Sequence, residues 1–520
     1  MNFKLRNLVA ATLAGSFLMG FGANAMADST TDIVDALESK GVLTDEEAAL
    51  INKGHAGEKE AKTETHKAAA ADVSNKPMDF MNDDAPFKSN FTLGEHQADI
   101  QIYGIIDVAG ASTNHSLPAN GDLPNNLYPY SKQASTNPNV KSQSAWINGG
   151  LQDSRIGVKG SIGLFDTETN KFKLIYQVES GFNPITGELN NAAKTLADNA
   201  GPNANTSVSA NSSLNGYMFA RQAWAGIDGG SLGKVSYGLQ YNPIYEITAS
   251  YDPTGKADSF SPFGESGTVG GGGGISENSR MKNSIKYANS FAAPMDGKIN
   301  VAGMYEIGNN IDTKNGYGAT GQLGYENSMF GVQMAYDKFT DTVKAGSGTL
   351  VNTLAGTVYN TDAFFLAGKV MPTKSLTVYG GWEWYQVQAP TDRNLAYSSI
   401  DGISATGIAV PYAAGVTQDN NVYYIGAKFD FAENMPALTG LTAALGYYET
   451  KNDAPTDASA KAGKIDTTTL VVDYKINKRF DTYFAYTNNH FSGPAYQNSG
   501  GVYTYYQNVD MAGVGVRMKF

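Results

Sequence analysis

Residues 421–431 read NVYYIGAKFDF, and this short stretch carries the pattern that decides the fold. Its odd-numbered positions from Tyr423 to Phe431 are apolar, whereas Gly426, Lys428 and Asp430 stand between them. Because successive side chains of a β-strand point to opposite faces, this alternation predicts a strand with one apolar and one polar face.

The same period of two recurs along most of the chain between residues 101 and 520. In the last stretch, Val514, Val516 and Met518 alternate with Arg517 and Lys519. Counting such stretches predicts sixteen strands, an even number as a single-chain antiparallel barrel requires. Sixteen strands leave an aqueous channel, whereas eight would be filled by side chains. The predicted centres lie near residues 105, 158, 175, 222, 237, 285, 303, 320, 334, 366, 380, 425, 445, 471, 485 and 514.

Three features favour a transmembrane barrel over a soluble β-sandwich. Tight turns such as 372–374 and 477–479 alternate with long polar loops such as 111–152 and 242–280, as in outer-membrane barrels. The polar faces carry charge and Gly, which suits a wet lumen. Aromatic side chains fall near strand ends, where an interfacial girdle needs them. The predicted girdle residues are Tyr103, Trp224, Trp382, Trp384, Tyr447 and Tyr483.

Composition excludes several classes of protein. The chain has no Cys, which rules out a disulfide framework, a thiolate metal site and a cysteine nucleophile. Its five His are scattered without metal-binding spacing, so no zinc site is expected. The net charge of −12 argues against nucleic acid as a partner. No G-x-S-x-G motif is present, and no His stands near acids at a catalytic spacing. The sequence therefore predicts neither an enzyme nor a cofactor.

The N-terminal hundred residues differ from the rest. Residues 1–27 have a basic start, an apolar core and an Ala-Met-Ala ending, which predicts a secretory signal peptide. A membrane-anchoring helix is the alternative, but the apolar run is shorter than a span needs. Capping patterns predict a helical hairpin at residues 28–54, placed in the periplasm. Residues 55–100 are charged and poor in aromatics, which predicts a flexible linker before a barrel at 101–520.

Six motifs, in order along the chain, resemble strands of the general porins of Gram-negative bacteria, of the trimeric type common in β-proteobacteria. The terminal Phe520 is similar to the aromatic end of those barrels. The resemblance implies a sixteen-stranded trimeric porin whose third loop folds into the lumen. The N-terminal extension departs from the usual pattern, and the long loops leave pore size open. The motifs are QIYGIID at 101–107, SRIGVKG at 154–160, YQVESGF at 176–182, RQAWAGI at 221–227, GKVSYG at 233–238 and RMKNSIKY at 280–287.

A porin constriction sets opposed charges across the lumen and selects small polar solutes. The third loop is expected at residues 242–279, and its acids would line one side. Arg155, Arg221 and Arg280 resemble the lumen-facing arginines of the family. Alternation also turns Lys171 and Lys173 inward, since a charge facing lipid at the midplane costs about 2–4 kcal/mol. The predicted constriction residues are Arg155, Lys159, Lys171, Lys173, Arg221, Arg280, Glu246, Asp252, Asp258 and Glu265.

These observations predict an outer-membrane porin for passive diffusion of small hydrophilic solutes and ions, with only a weak charge preference. A channel selective for an anion, amide or small organic acid is one alternative. A surface adhesion or structural barrel is another. The expected partners are outer-membrane lipid and lipopolysaccharide, two further copies in a homotrimer, and the cell wall or another copy through residues 28–54.

Overall fold

The computed structural model describes residues 87–116, 133–134, 141–185, 187, 218–219, 221–265, 280–307, 317–340, 354–357, 360–388, 399–400, 403–409, 415–458, 461–497, 499–502 and 505–520. The signal peptide and the helical hairpin predicted at 1–27 and 28–54 lie outside the described residues. None of the helices in the described part of the chain is long and apolar enough to cross a membrane.

The described residues form twenty-three strands and two α-helices, with 3₁₀ turns at Gly230–Leu232, Pro436–Leu438 and Pro494–Tyr496. The helices are α1 (Pro243–Tyr251) and α2 (Pro262–Glu265). The strands are β1 (Phe87–Leu93), β2 (His96–Ser116), β3 (Gln133–Ala134), β4 (Lys141–Asn148), β5 (Arg155–Asp166), β6 (Lys171–Gly181), β7 (Gln222–Asp228), β8 (Lys234–Tyr241), β9 (Arg280–Ala293), β10 (Gly297–Ile307), β11 (Tyr317–Glu326), β12 (Phe330–Thr340), β13 (Leu354–Thr357), β14 (Asn360–Val370), β15 (Leu376–Gln388), β16 (Ser399–Ile400), β17 (Ile403–Ala409), β18 (Thr417–Asp430), β19 (Leu441–Asn452), β20 (Gly463–Lys475), β21 (Phe480–Ser492), β22 (Tyr505–Tyr506) and β23 (Asn508–Lys519).

Eighteen of these strands form one antiparallel sheet that closes into a barrel of sixteen strand positions. Two positions are shared. Strands β4 and β5 both pair with β2 and lie end to end around the joint at residues 149–154. Strands β23 and β1 also follow one another along β2, which closes the barrel. The prediction of a sixteen-stranded antiparallel barrel is confirmed, because each predicted centre falls in or beside its strand.

The barrel begins earlier than predicted. Strand β1 (Phe87–Leu93) and the start of β2 lie inside the predicted linker at 55–100, so that boundary is wrong. Phe87 lies beside the terminal Phe520, with ring centroids 6.2 Å apart. The N-terminal strand thus continues the path of the last strand, a long-range pairing that local composition cannot reveal.

The barrel wall is apolar outside and largely polar inside. Ile425 and Val514 are 60% exposed on the outer face, whereas Glu383 on the inner face is fully buried. The girdle prediction is correct for Tyr447, which is exposed on the outer face. Trp382 and Trp384 also point outward, and their indole N–H groups donate to Asn421 and Asp419.

The other three girdle predictions are wrong. Tyr103 and Tyr483 point into the barrel, where they donate to Glu179 and Asp107. Trp224 lies on the same face as the buried Gln222. Their hydroxyl and indole groups find partners among the buried polar side chains of the lumen, which proximity to a strand end does not reveal.

The third loop, L3 (residues 242–279), folds into the barrel as predicted, and the structure describes it up to Glu265. Asn242 caps α1 by accepting from the Tyr245 N–H at 2.8 Å, and its own amide donates to Asp337 on β12. Two apolar clusters then hold the loop. One joins Ile244, Ile247, Tyr251 and Phe263 to strands β12, β14, β15, β18 and β19. The other joins Ala257 and Phe260 to β2, the β4–β5 joint, β19, β20, β21 and β23.

The inner surface therefore has two unlike halves. We call the inward faces of β12–β23 and β2 that carry these clusters the docking wall. We call the inward faces of β5–β9, with residues 149–154, the arginine wall. L3 leaves the arginine wall after β8 and packs mainly on the docking wall.

Candidate pore constriction

Arg221 is the centre of the arginine wall. It stands just before β7, and its side chain is 1% exposed. Its Nε donates to Glu179 on β6 at 2.8 Å, and its Nη1 donates to Asp153 in the β4–β5 joint at 2.8 Å. Its Nη2 donates to the Tyr241 hydroxyl at 2.6 Å. The guanidinium thus ties four strand positions together, and its charge is compensated by two carboxylates.

Arg155 and Lys159 lie beside this centre on β5. Arg155 keeps 18% of its side chain exposed, and its Nε is 3.8 Å from Glu179, a longer contact than those of Arg221. Lys159 lies four residues further along β5, toward the short-turn end, with its Nζ 5.2 Å from the centre of the Tyr103 ring. Both face the lumen, as alternation predicts.

Two stacked tyrosines extend the cluster toward L3. Tyr241 on β8 and Tyr245 on α1 stack with ring centroids 4.1 Å apart. The Arg280 guanidinium lies 4.9 Å from the Tyr241 centroid, and Lys256 Nζ lies 3.5 Å from the Tyr245 centroid. Cations at these distances from ring faces are attracted by the aromatic quadrupole. The stack therefore brings a cation of the wall and a cation of the loop together.

Three of the predicted loop acids are already engaged. Glu246 pairs with Lys286 at 2.7 Å. Asp252 is 2% exposed, accepts from Tyr448, and accepts from the Lys256 N–H at 2.7 Å. The Asp258 carboxyl hydrogen-bonds the Asp153 carboxylate. Glu265 ends α2, and its side chain lies outside the described residues.

Burial shifts the ionisation of two loop groups. Burial, together with the neighbouring Asp153 carboxylate, raises the pKa of Asp258 well above its usual range. Burial, opposed by Asp258 and assisted by Arg280, lowers the pKa of Lys256 to about 7. The loop therefore presents less negative charge to the arginine wall than its composition indicates.

The structure separates Lys171 and Lys173 from this cluster. They begin β6 at the short-turn end and are exposed. At about 3.3 Å per residue along the strand, Lys173 lies about 20 Å from Glu179 and Lys171 about 26 Å from it. They share the inward face that alternation predicts, but not the level of the arginines.

The predicted set omitted Asp153, Glu179, Tyr241, Tyr245 and Lys256. Glu179 could have been predicted from the sequence, because alternation places it on the same inward face of β6 as Lys171 and Lys173. Tyr241 could not, since alternation groups it with the outward Tyr237. Gly238 has φ of +139°, and the β8–β9 register shifts between Gly238 and Gln240. This bulge turns Tyr241 inward.

Comparison with known proteins agrees with this architecture. A family model described as Gram-negative porin matches residues 68–494. The chain belongs to the Gram-negative porin family. It forms an outer-membrane channel for passive diffusion, and its family and fold are those of a channel and not of an enzyme. A search of curated proteins finds no match.

Solved structures with the same fold include other porins. The anion-selective porin from Comamonas acidovorans is 16% identical, with a TM-score of 0.51, and the match covers 81% of this chain and 100% of that one. OmpT of Vibrio cholerae is 12% identical with a TM-score of 0.48, covering 81% and 98%. OmpF of Salmonella typhi, solved with daunomycin, is 17% identical with a TM-score of 0.44, covering 81% and 98%. At these identities the likeness concerns the fold of this porin and not its selectivity.

Proposed function

We propose that this porin conducts small hydrophilic solutes with a preference for anions, through a constriction between the arginine wall and L3. The observation that carries the proposal is the engagement of Glu246, Asp252 and Asp258. A constriction that attracts cations needs carboxylates free to meet the solute. Here one carboxylate is neutralised by Lys286, one is buried, and one adjoins a second carboxylate.

The cations of the constriction differ in the contacts that they make. Arg221 is matched by Glu179 and Asp153. Arg155 has only a 3.8 Å contact with a carboxylate that Arg221 already holds. Arg280 and Lys256 lie against tyrosine rings. Among the groups described above there are six cations, one of which, Lys256, has a pKa lowered to about 7, and five acids, one of which, Asp258, has a raised pKa. The cations are Arg155, Lys159, Arg221, Arg280, Lys256 and Lys286, and the acids are Asp153, Glu179, Glu246, Asp252 and Asp258. The excess is small, so we expect a moderate preference.

The test is the reversal potential of single channels in a planar bilayer across a potassium chloride gradient. We expect the sign for chloride over potassium at pH 7. Arg280→Gln should lower the chloride-to-potassium permeability ratio about twofold, because a positive charge that lies against the Tyr241 ring is removed from the constriction. Lys171→Gln is the matched control, about 26 Å from Glu179 along the strand, and should leave the ratio unchanged. A wild-type channel that prefers potassium contradicts the proposal.

The same recordings test assembly. We propose a homotrimer, and openings should then occur in groups of three equal steps. We also propose that the outer-leaflet lipid, including lipopolysaccharide, contacts the outward polar side chains above the aromatic residues. The proposal that residues 28–54 bind the cell wall or another copy stands on the sequence alone.

A further inference from the structure

A second group of cations lies inside the barrel, at the short-turn end of the docking wall. Lys428 is near the end of β18, Lys475 ends β20, and Arg517 and Lys519 end β23. Alternation turns each of them inward, since Tyr424, Val471 and Met511 on the same faces are buried. We call these four residues the vestibule cluster. Around the barrel, β6 with Lys171 and Lys173 lies three strand positions from β23 and seven from β18.

Arg517 forms most of the hydrogen bonds that the nearby acids Asp473 and Asp481 accept. Its Nε donates to Asp481 at 2.9 Å, and its Nη2 donates to Asp473 at 3.0 Å and to Asp481 at 3.1 Å. Its Nη1 donates to Gln152 at 3.2 Å. Asp481 and Asp473 are therefore both bound by one guanidinium, which leaves few of their carboxylate oxygens to pair with the lysines.

The three lysines are left with weak compensation. Lys519 approaches Asp481 at 3.5 Å, with 39% of its side chain exposed. In the described part of the chain, neither Lys428 nor Lys475 forms an ion pair within 4.0 Å. Lys428 is exposed to the lumen and lies within electrostatic range of Lys475 and Arg517, and Lys519 lies within range of the same two. Four cations thus lie near Asp473 and Asp481, with Asp430 at the rim. Asp107 is also within electrostatic range of Arg517, but its carboxylate already accepts from Tyr483 and from the Leu151 and Gln152 N–H groups.

Like charges held near one another inside a narrow barrel repel, and a bound anion removes that repulsion. We propose that the vestibule cluster is a binding site for small multivalent oxyanions, carboxylates or phosphates, at the short-turn mouth of the channel. The inference deepens the proposed anion preference and rests on it. An anion leaving the constriction meets this site before it leaves the barrel. A ligand reaches the site without crossing the constriction only from the short-turn end, so binding depends on the side to which the ligand is added.

The test is block of the chloride current by tripolyphosphate, added to one side of single channels of known orientation. Block should be stronger from the short-turn side. The variant K428Q/K475Q should weaken this block about tenfold, because two of the least compensated cations are removed. The matched control K171Q/K173Q removes two lysines at the same end on the arginine wall and should change the block less than about twofold.

Folding of each variant is checked by its heat-modifiable gel mobility. If K428Q/K475Q does not fold, Lys475→Gln alone serves, with about a threefold effect expected because that residue is exposed. Equal block in the wild type and the folded variant overturns the inference, as does equal loss in the control. The wild-type reversal potential is measured in the same recordings. A wild type that prefers potassium would instead overturn the proposed function, whatever the block shows.

Discussion

The two halves of the inner surface differ in what they offer to L3. The docking wall presents Phe365, Tyr424 and Tyr448, which L3 covers with Phe263. The arginine wall presents charged groups, of which Arg221, Glu179 and Asp153 pair closely with one another, and L3 meets it through Tyr245, Lys256 and Asp258. Burial of apolar side chains therefore holds L3 against the docking wall, whereas electrostatic contacts determine how L3 meets the arginine wall. The comparison shows that the position of the constriction depends on which part of the inner surface is apolar, because L3 packs on that part.

The largest expected effect comes from removing the apolar contact. Phe263 is fully buried, and its ring lies 5.3–5.9 Å from the rings of Phe365, Tyr424 and Tyr448. Phe263→Ala should weaken docking of L3 by about 3–5 kcal/mol, as for other large-to-small core changes. The expected result is a larger and noisier single-channel conductance, because the loop leaves its wall for part of the time.

A matched control is available one residue from the docking wall's Phe365. Phe364 points outward and packs against Trp382, with centroids 5.7 Å apart. Phe364→Ala should reduce stability without changing conductance. If Phe263→Ala conducts like the wild type, or if both variants become noisy, the docking wall does not position the loop.

A smaller effect is expected from the arginine wall. Arg221→Gln leaves Glu179 and Asp153 buried without their main counter-charge, which costs about 3 kcal/mol for a buried pair. The measurement is the thermal unfolding midpoint of the detergent-solubilised barrel. Arg155→Gln is the control, since its contact is longer and more exposed, and it should cost less than about 1 kcal/mol. Similar losses in the two variants would mean that Arg221 is not the centre of the wall.

The sequence predicted the barrel well, because lipid imposes one rule on the whole outer surface. Every strand that crosses must turn apolar side chains outward, and that rule has a period that can be counted. The period alone does not decide which of the adjacent Phe364 and Phe365 faces outward, and the structure places Phe364 outward and Phe365 inward. The alternation rule failed at Gly238, where a β-bulge shifts the strand register before Tyr241.

The inner surface was less predictable for a physical reason. We expected inward faces to be polar, but much of the docking wall is apolar or aromatic because L3 covers it. Whether an inward tyrosine meets water or a loop depends on where the loop lies, and no local pattern encodes that position. The arginines could be named from their strands, whereas Lys256 and Tyr245 became part of the site only once L3 had folded across the lumen.

The smallest expected effect tests the titration of Lys256, a loop group that lies between the two walls. Lys256 belongs to L3 but faces the Tyr241–Tyr245 stack, and its pKa is lowered to about 7. As the pH falls through this value, Lys256 gains a proton and adds one positive charge to the constriction. The chloride-to-potassium permeability ratio should therefore rise about twofold between pH 8.5 and pH 5.5.

Lys256→Met separates this titration from the general protonation of acids at the mouths. The variant keeps an apolar stem against Tyr245 but cannot titrate, so its permeability ratio should vary little over the same range and stay near the wild-type value at pH 8.5. A variant that follows the wild-type pH profile would assign the titration to other groups. A wild-type profile that stays flat would mean that L3 turns Lys256 away from the arginine wall, so that the loop meets the wall through Tyr245 and Asp258 alone.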